Sequence, residues 1–254
     1  MPALKLHKDG PIAYIVLARP EEGNPVDYLL LAELADACEA IEPDPEVRVV
    51  LLWGGEGEVF SRGWRWEGLL EGEEWPGWPP TGAFDCLAEL PRPVVCAING
   101  DAFSAGLELA LACDVRIAAP GARFAFPETA LGLIPLAGGT QRLARAVGRS
   151  WASYLVLTGE AIDAQQALAM GLVSAVVERE RLLGEAESIA RRIAEKGPLA
   201  VRYAKEALQR GPEMPLEEAL RYETDLTIIL QTTADRQEGV RAFLEKRRPR
   251  FSGT

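Results

Sequence analysis

The order of strand-like and helix-like segments most strongly limits how this chain can fold. Up to about residue 138, strand-like runs stand singly or in pairs between helix-like runs, without a regular one-to-one alternation. From about residue 139 the pattern is helical except for "LVSAVV", and from residue 180 one helix-like segment follows another. The sequence therefore predicts a mixed α/β core that precedes a helical C-terminal segment.

Local patterns predict several individual elements. "LKLHKD" and "IAYIVLA", separated by Asp9-Gly10-Pro11, predict two strands joined by a turn. "PVDYLLLAELADACEA" has apolar residues at helical spacing and a proline at its start, which favours a helix. Further strands are predicted at "PEVRVVLLWGG", "PVVCAI", "DVRIAA" and "RFAF", and a further helix at "SAGLELALAC".

Charge and cysteine content exclude several classes of function. The formal net charge of -11 disfavours attraction to nucleic acid or to anionic membranes, the basic tail "EKRRPRF" being the exception. The four cysteines stand far apart, so we expect them to be reduced and mostly buried rather than to hold zinc or form disulfides. With neither a cleavable leader nor an apolar run of membrane length in the sequence, we expect a cytoplasmic protein.

One charged residue interrupts an otherwise apolar helix. "FSAGLELALACD" is apolar on all sides apart from Glu108, which predicts that the whole helix is buried. A buried carboxylate needs hydrogen bonds, a cation or a shifted pKa. Glu108 is therefore either a functional group or a structural one, at a partly exposed helix edge or paired with an arginine.

The residues before and after Glu108 bear on this choice. Ser104, Ala105 and Gly106 lie at the predicted helix start, where free amides favour negative charge and small side chains let a ligand oxygen approach. The same small residues also suit close helix packing. Glu128 follows a strand-like stretch and precedes a glycine-rich loop, where either a solvated turn or a catalytic carboxylate is expected. Two carboxylates in one pocket would divide acid and base duties.

Five stretches, taken in order along nearly the whole chain, carry a resemblance. The sequence resembles the enoyl-CoA hydratase/isomerase, or crotonase, family. The matching stretches are "EVRVVLLWGGEGEVFS", "PRPVVCAINGDAFSAGLELALACDVRIAAPGARFAFPE", "LGLIPLAGGTQRLARAVG", "LTGEAIDAQQALAMGLVSAVV" and "EGVRAFLEKRRPRF".

The resemblance implies a fold, a substrate and an assembly. The fold is α/β, a crotonase-like spiral of repeated β-β-α units over residues 1–195. Residues 196–254 form an α-helical segment that builds a homotrimer, commonly doubled to a dimer of trimers. The substrate is an acyl-CoA thioester, so coenzyme A enters as part of the substrate and no separate cofactor or metal is expected. Neither nucleic acid nor a membrane is an expected partner.

The resemblance also assigns catalytic roles. Glu108 is expected to activate water for attack at Cβ, and Glu128 to deliver a proton to Cα. The backbone N–H groups of Trp64 and Ala105 are expected to form the oxyanion hole for the thioester oxygen. Hydratases of the family use both glutamates, whereas isomerases need only the second, so isomerisation is an alternative to hydration. A non-catalytic acyl-CoA-binding oligomer is the alternative outside enzymology.

The residues expected to contact coenzyme A depart from the usual residues of the family. "RGWR" stands where the family usually has Ala-Gly-Ala-Asp, and Glu67 replaces a lysine often found near the CoA phosphates. Arg62 or Arg65 is expected to supply the missing positive charge. In the closing stretch, Phe243 and Lys246 are expected to contact the adenine and phosphates, often across a subunit boundary. Without the resemblance, this tail would be interpreted as a solvated helix end.

The acyl pocket is expected to differ in shape from that of other members. Leu136 replaces a glycine near the two glutamates, and Trp66 belongs to a tryptophan-rich stretch from Gly63 to Pro80 that predicts a long loop. Its four rings favour either a wall over the acyl chain or a cover for a hydrophobic surface or oligomer interface. The sequence leaves both interpretations open.

Overall fold

The computed structural model describes residues 1–66 and 82–254. The strands in this part of the chain are β1 (Leu4–Asp9), β2 (Ile12–Leu17), β3 (Pro25–Val26), β4 (Val49–Trp53), β5 (Val59–Ser61), β6 (Gly63–Trp64), β7 (Val94–Ile98), β8 (Asp101–Phe103), β9 (Val115–Ala118), β10 (Arg123–Ala125), β11 (Ile162–Asp163) and β12 (Ala175–Val176). The α-helices there are α1 (Tyr28–Ile41), α2 (Gly82–Glu89), α3 (Ala105–Leu111), α4 (Gly139–Thr158), α5 (Ala164–Ala169), α6 (Arg179–Ala194), α7 (Pro198–Arg210), α8 (Leu216–Gln231) and α9 (Ala234–Leu244). Short 3-10 helices span Pro20–Glu22, Pro127–Leu131 and Gly211–Glu213.

Most of these strands form two sheets, between which the chain passes repeatedly. The larger sheet has the order β1-β2-β4-β7-β9-β12 and the smaller one the order β11-β10-β8-β5. β4, β7 and β9 of the larger sheet are each followed by a strand of the smaller sheet, β5, β8 and β10, and then by helical structure. The chain thus builds a spiral of repeated β-β-α units, as the resemblance implies.

Alternation along the central strands separates two hydrophobic cores. In β7, Val94, Cys96 and Ile98 belong to the core that contains α1 and α3, while Val95 and Ala97 belong to the core under α6. Successive side chains of a strand point to opposite faces, so this five-residue apolar run fills both cores. One core therefore surrounds α3, the helix that carries Glu108.

The predicted elements are confirmed with changes at several ends. The turn at Gly10 joins β1 to β2 in register, with Asp9 opposite Ile12. The first helix does not begin at Pro25, which lies in β3. It begins after Asp27, whose carboxylate accepts a hydrogen bond from the Leu30 amide and caps the helix.

Three further expectations concern the strand "LVSAVV", the cysteines and the tryptophan-rich loop. Within "LVSAVV" only β12 is a strand. All four cysteines are free; Cys38, Cys96 and Cys113 are buried as expected, whereas Cys86 is exposed. The predicted tryptophan-rich loop lies outside the described residues except at its start, where Gly63 and Trp64 form β6.

The C-terminal helices carry apolar side chains that this chain leaves uncovered. Lys205 of α7 anchors the segment to the core through an ion pair with Asp114, 2.8 Å long, and a hydrogen bond to the Arg92 carbonyl. No helix in the described part of the chain is long and apolar enough to cross a membrane. The uncovered side chains, each 46% to 83% exposed, are Leu208, Leu216, Leu220, Ile228, Ile229, Val240, Phe243 and Leu244.

Candidate active site

Two neighbouring parallel strands bring the predicted glutamates together. β8 and β10 pair with Phe103 opposite Ala125, and both strands end there. α3 follows β8 after Ser104, and a 3-10 helix follows β10 after Phe126. Because parallel strands end at the same edge of a sheet, Glu108 on α3 and Glu128 on the 3-10 helix lie at one site. Both side chains are fully buried.

Backbone amides hold one oxygen of the Glu108 carboxylate. Its Oε1 accepts hydrogen bonds from the Ala137 amide at 2.7 Å and the Gly139 amide at 2.8 Å. Its Oε2 is buried and makes no hydrogen bond within the described residues. A carboxylate that is fixed through one oxygen presents the other to whatever enters the site.

The Glu128 carboxyl group has weaker support, from the Ser104 hydroxyl and from its own amide, both of which lower its pKa. Both of its oxygens are buried, and neither makes a hydrogen bond of normal geometry among residues 1–66 and 82–254. The Glu128 carbonyl accepts a hydrogen bond from the Leu133 amide at 3.0 Å, which fixes the backbone of this glutamate. An unpaired buried carboxyl group strongly favours its neutral form.

The surroundings raise the pKa of both carboxyl groups. Burial raises the pKa of Glu108 to about 7; the charge of Glu128 adds to the rise, while the Gly139 and Ala137 amides and Arg142 oppose it. Burial also raises the pKa of Glu128, opposed in part by Ser104. Both carboxyl groups therefore keep their protons to higher pH than a solvated glutamate does, which suits groups that exchange protons with a substrate.

The segments that carry Trp64 and Ala105 pack against each other backbone to backbone. A Cβ atom on Gly63 would lie 2.4 Å from the Ser104 Cβ and 2.7 Å from the Phe103 carbonyl oxygen. A Cβ atom on Gly106 would lie 2.6 Å from both the Cβ and the carbonyl oxygen of Ser61. Only glycines permit this approach, which brings the predicted oxyanion-hole residues, one in β6 and one at the start of α3, close together.

The loop that binds Glu108 is held by an arginine that sequence reasoning missed. Arg142 donates to the Ala137 carbonyl at 2.7 Å and to the Asp85 carboxylate at 2.6 Å. Gly139 must be glycine because a Cβ atom there would lie 2.9 Å from Glu108 Oε1. The signal available in the sequence was the glycine pair in "LAGGTQR", since glycines permit close backbone approach to another group.

The two arginines predicted to bind CoA differ in their exposure and in their ion pairs. Arg62 is exposed, and its aliphatic stem covers Gly23. Arg65 is half-buried and forms ion pairs with Glu22 at 2.5 Å and Asp27 at 3.4 Å. Arg65 is therefore committed to its own chain, whereas Arg62 is available to a ligand.

The remaining predicted site residues divide between the core and the far end of the chain. Trp66 and Leu136 are half-buried and pack against the core that surrounds α3. The Phe243 side chain, at the end of α9, is 83% exposed, and Lys246 lies just beyond that helix with a φ of +55°.

Comparison with known proteins agrees with this architecture. The family model described as enoyl-CoA hydratase/isomerase matches residues 7–254. The chain belongs to the enoyl-CoA hydratase/isomerase family. It is 38% identical over 251 residues to crotonyl-CoA hydratase of Syntrophomonas wolfei, covering 97% of this chain and 96% of the relative.

Further relatives extend the likeness over the full length. The chain is 39% identical over 261 residues to 2,3-dehydroadipyl-CoA hydratase of Escherichia coli, covering 100% of both proteins. The crystal structure of an enoyl-CoA hydratase from Bacillus anthracis superposes with a TM-score of 0.95 at 37% identity, covering 99% of this chain and 100% of that one. The crotonase-like fold and hydro-lyase activity on an enoyl-CoA thioester, both expected from the sequence, are confirmed.

Proposed function

We propose that this chain adds water reversibly to the double bond of a 2-enoyl-CoA, with Glu108 as the base and Glu128 as the acid. The observation that carries the proposal is the pair of fully buried carboxyl groups at the ends of β8 and β10, one fixed by two amides and one unpaired. The fixed group suits the ionised base, and the unpaired group suits the protonated acid.

In the hydration direction each glutamate handles one proton. Water attacks Cβ while Glu108 Oε2 removes its proton, and Glu128 gives its own proton to Cα. The new C–O and C–H bonds replace the double bond, leaving Glu108 protonated and Glu128 ionised until their protons exchange with solvent. A reaction that needs Glu108 ionised and Glu128 protonated has a bell-shaped pH dependence.

The thioester oxygen gains negative charge as water attacks. The backbone N–H groups of Trp64 and Ala105 are the donors we assign to it, supported by the close packing of Gly63 and Gly106 that brings the two segments together. Ala105 is the first residue of α3, where an amide has no acceptor within its own helix. Removing one such donor typically slows the reaction about 100-fold to 1,000-fold.

The same arrangement suggests where the rest of the substrate binds. Exposed Arg62 is the preferred partner for the CoA phosphates on this side of the site, because Arg65 is paired with Glu22 and Asp27. Trp66 and Leu136 are proposed to line the acyl pocket, since both pack on the core that surrounds α3, the helix that carries Glu108.

We further propose that the chain works as a homotrimer or a dimer of trimers. The exposed apolar side chains of α7, α8 and α9 support burial against other copies, and α9 ends beside the predicted CoA contacts Phe243 and Lys246. Light scattering of the purified protein at micromolar concentration tests this, and a monomer would contradict it.

Substitution of each glutamate tests the reaction. Absorbance of the conjugated thioester would be followed for crotonyl-CoA, a longer straight-chain 2-enoyl-CoA and an aromatic one. Glu108→Gln and Glu128→Gln are each expected to lower kcat by about 100-fold to 10,000-fold, because each removes one proton-transfer group. Glu89→Gln, on the exposed end of α2, is the matched control and should retain wild-type turnover.

The same variants separate hydration from the alternatives. An isomerase would convert a 3-enoyl-CoA with Glu108→Gln as fast as wild type and stop with Glu128→Gln. A non-catalytic acyl-CoA-binding oligomer would bind the thioesters without any loss of the enoyl absorbance in wild type. Undiminished hydration by either glutamate variant would refute the assignment of that residue.

A further inference from the structure

Ser104 has a backbone conformation that a serine rarely adopts. It lies between β8 and α3 with φ 52° and ψ -130°, one of three non-glycine residues with positive φ in the described part of the chain. Such a conformation is strained for a residue with a side chain and persists only where the surroundings impose it. A glycine would adopt it without strain, which indicates a role for the serine hydroxyl.

The Ser104 hydroxyl is buried beside the Glu128 carboxyl group. The residue is fully buried, and its Oγ makes no hydrogen bond of normal geometry among the described residues. The group on which the hydroxyl acts is Glu128, whose pKa it lowers by hydrogen bonding. Burying a hydroxyl that is poorly paired is unfavourable, so a serine here carries a second penalty that a glycine would avoid.

The group beside Ser104 that lacks a donor is the Glu128 carboxyl. The Ser104 amide donates to the Ala125 carbonyl at 2.9 Å, which fixes Ser104 against the strand that leads through Phe126 and Pro127 to Glu128. Both Glu128 oxygens are buried and unpaired in the same part of the chain. A buried hydroxyl donor and a buried carboxyl acceptor thus lie next to each other where β8 and β10 end.

We propose that the Ser104 hydroxyl is a positioning residue that donates a hydrogen bond to the Glu128 carboxyl group during proton transfer to the substrate. The proposal rests on the proposed function, because it gives Ser104 a role only if Glu128 is the acid. When Glu128 is protonated, the hydroxyl donates to its carbonyl oxygen and leaves the acidic O–H for the substrate. As the proton leaves, the carboxylate that forms keeps the same donor, and a hydrogen bond to a charged group is the stronger one.

The electrostatics of the pair agree with this role. Ser104 opposes the rise that burial causes in the pKa of Glu128, as a donor to the carboxylate must. The ionisable group that faces Glu128 from α3 is Glu108, and Arg142 on α4 acts on Glu108. Loss of the hydroxyl would raise the pKa of Glu128, so the alkaline limb of the pH profile, where Glu128 loses its proton, would move to higher pH.

Two substitutions separate the hydroxyl from the backbone strain. Ser104→Gly removes the hydroxyl and relieves the positive-φ strain, whereas Ser104→Ala removes the hydroxyl and keeps the strain. We expect both variants to lower kcat about tenfold, the usual scale for losing a hydrogen bond to a charged group. We expect both to move the alkaline limb of kcat upward, and only Ser104→Gly to unfold at a higher temperature than wild type.

Double variants decide whether the effect passes through Glu128. In a Glu128→Gln background, Ser104→Gly should cause no further loss of kcat, whereas in a Glu108→Gln background the tenfold loss should persist. A Ser104→Gly enzyme with wild-type kcat and an unmoved alkaline limb would overturn the inference while leaving the hydratase assignment intact. A Glu128→Gln enzyme that retains full hydration would instead overturn the proposed function.

Discussion

The surroundings of Glu108 and of Glu128 differ in backbone hydrogen bonding, although both carboxyl groups are fully buried at the same sheet edge. Glu108 accepts hydrogen bonds from two amides of the segment between the 3-10 helix and the first turn of α4, and Arg142 donates a hydrogen bond to a carbonyl of the same segment. Glu128 receives no hydrogen bond of normal geometry from the described residues. Two carboxyl groups in different surroundings are what the proposed division into a base and an acid requires.

The largest expected effect concerns the ionisation of Glu108. Its pKa is about 7 in the folded chain, against an ordinary value of 4.5 in the unfolded chain, so the folded chain holds this proton more tightly. The free energy of unfolding should therefore fall as pH rises from 4.5 through 7, by about 3 kcal/mol from this group.

Urea unfolding of the free protein between pH 4.5 and 8 measures the effect. Glu108→Gln should lack this share of the pH dependence, because its amide does not titrate while its oxygen can still accept the Ala137 and Gly139 hydrogen bonds. Identical pH dependence in wild type and Glu108→Gln would show that Glu108 has an ordinary pKa in the folded chain.

The next largest effect is expected from removing the amide support without touching either glutamate. A methyl group at Gly139 would lie 2.6 Å from the Pro135 Cβ, 2.8 Å from Phe126 and 2.9 Å from Glu108 Oε1, so the loop and the carboxylate must move apart. Gly139→Ala is expected to lower kcat roughly 100-fold, the scale of a misplaced catalytic group.

The matched control for this substitution is Gly184→Ala in α6, where an added Cβ meets no atom within 4 Å. That variant should keep wild-type kcat and gain slightly in stability, since alanine favours helix. Equal activity of the two alanine variants would mean that the amides of the loop do not matter for the base.

The smallest expected effect concerns Arg142, whose charge lowers the pKa of Glu108. Arg142→Gln loses the ion pair with Asp85 and the positive charge that lowers the pKa of Glu108. The acid limb of kcat/KM, which reports ionisation of the free enzyme's base, should move to higher pH, and kcat/KM at pH 7 should fall about tenfold.

Arg145→Gln serves as the control on the same helix, because Arg145 is exposed and pairs with Glu213 instead. The acid limb should stay in place for that variant. A shift of equal size in both would indicate a general effect of net charge rather than the local contact of Arg142.

The two glutamates of the candidate site could be predicted from the sequence, whereas the groups that hold Glu108 could not. Glu108 was recognisable as the one charged residue in an apolar helix, because burial of a charge is energetically unfavourable. The family motifs, taken in order, then indicated Glu128 as its partner. The groups that donate to Glu108 are the backbone amides of Ala137 and Gly139, which no side chain marks in the sequence. Only the neighbouring glycines indicated that the backbone comes close to another group. In the sequence, Arg142 resembles any charged residue of an amphipathic helix, and its hydrogen bond to the Ala137 carbonyl is visible only in the structure.

The same distinction applies to the fold. The long apolar runs of β2, β4 and β7 were recognisable because burial on both faces requires uninterrupted apolar residues. The two-residue strands β3 and β6 were missed, since their pairing depends on which distant segment lies alongside. Pro25 was mistaken for a helix start because proline suits both a first helical turn and the edge of a sheet.

The backbone crossing at Gly63 and Gly106 also bears on redesign of the enzyme. The donors assigned to the thioester oxygen belong to the main chain, so the chemistry does not depend on which side chains surround the acyl group. Leu136 and Trp66, the proposed lining of the acyl pocket, are therefore the positions to vary for a new substrate. The two glycines allow no such freedom, because any side chain there would force the crossing segments apart. A library that varies the first pair and fixes the second would explore substrate range without sacrificing the reaction.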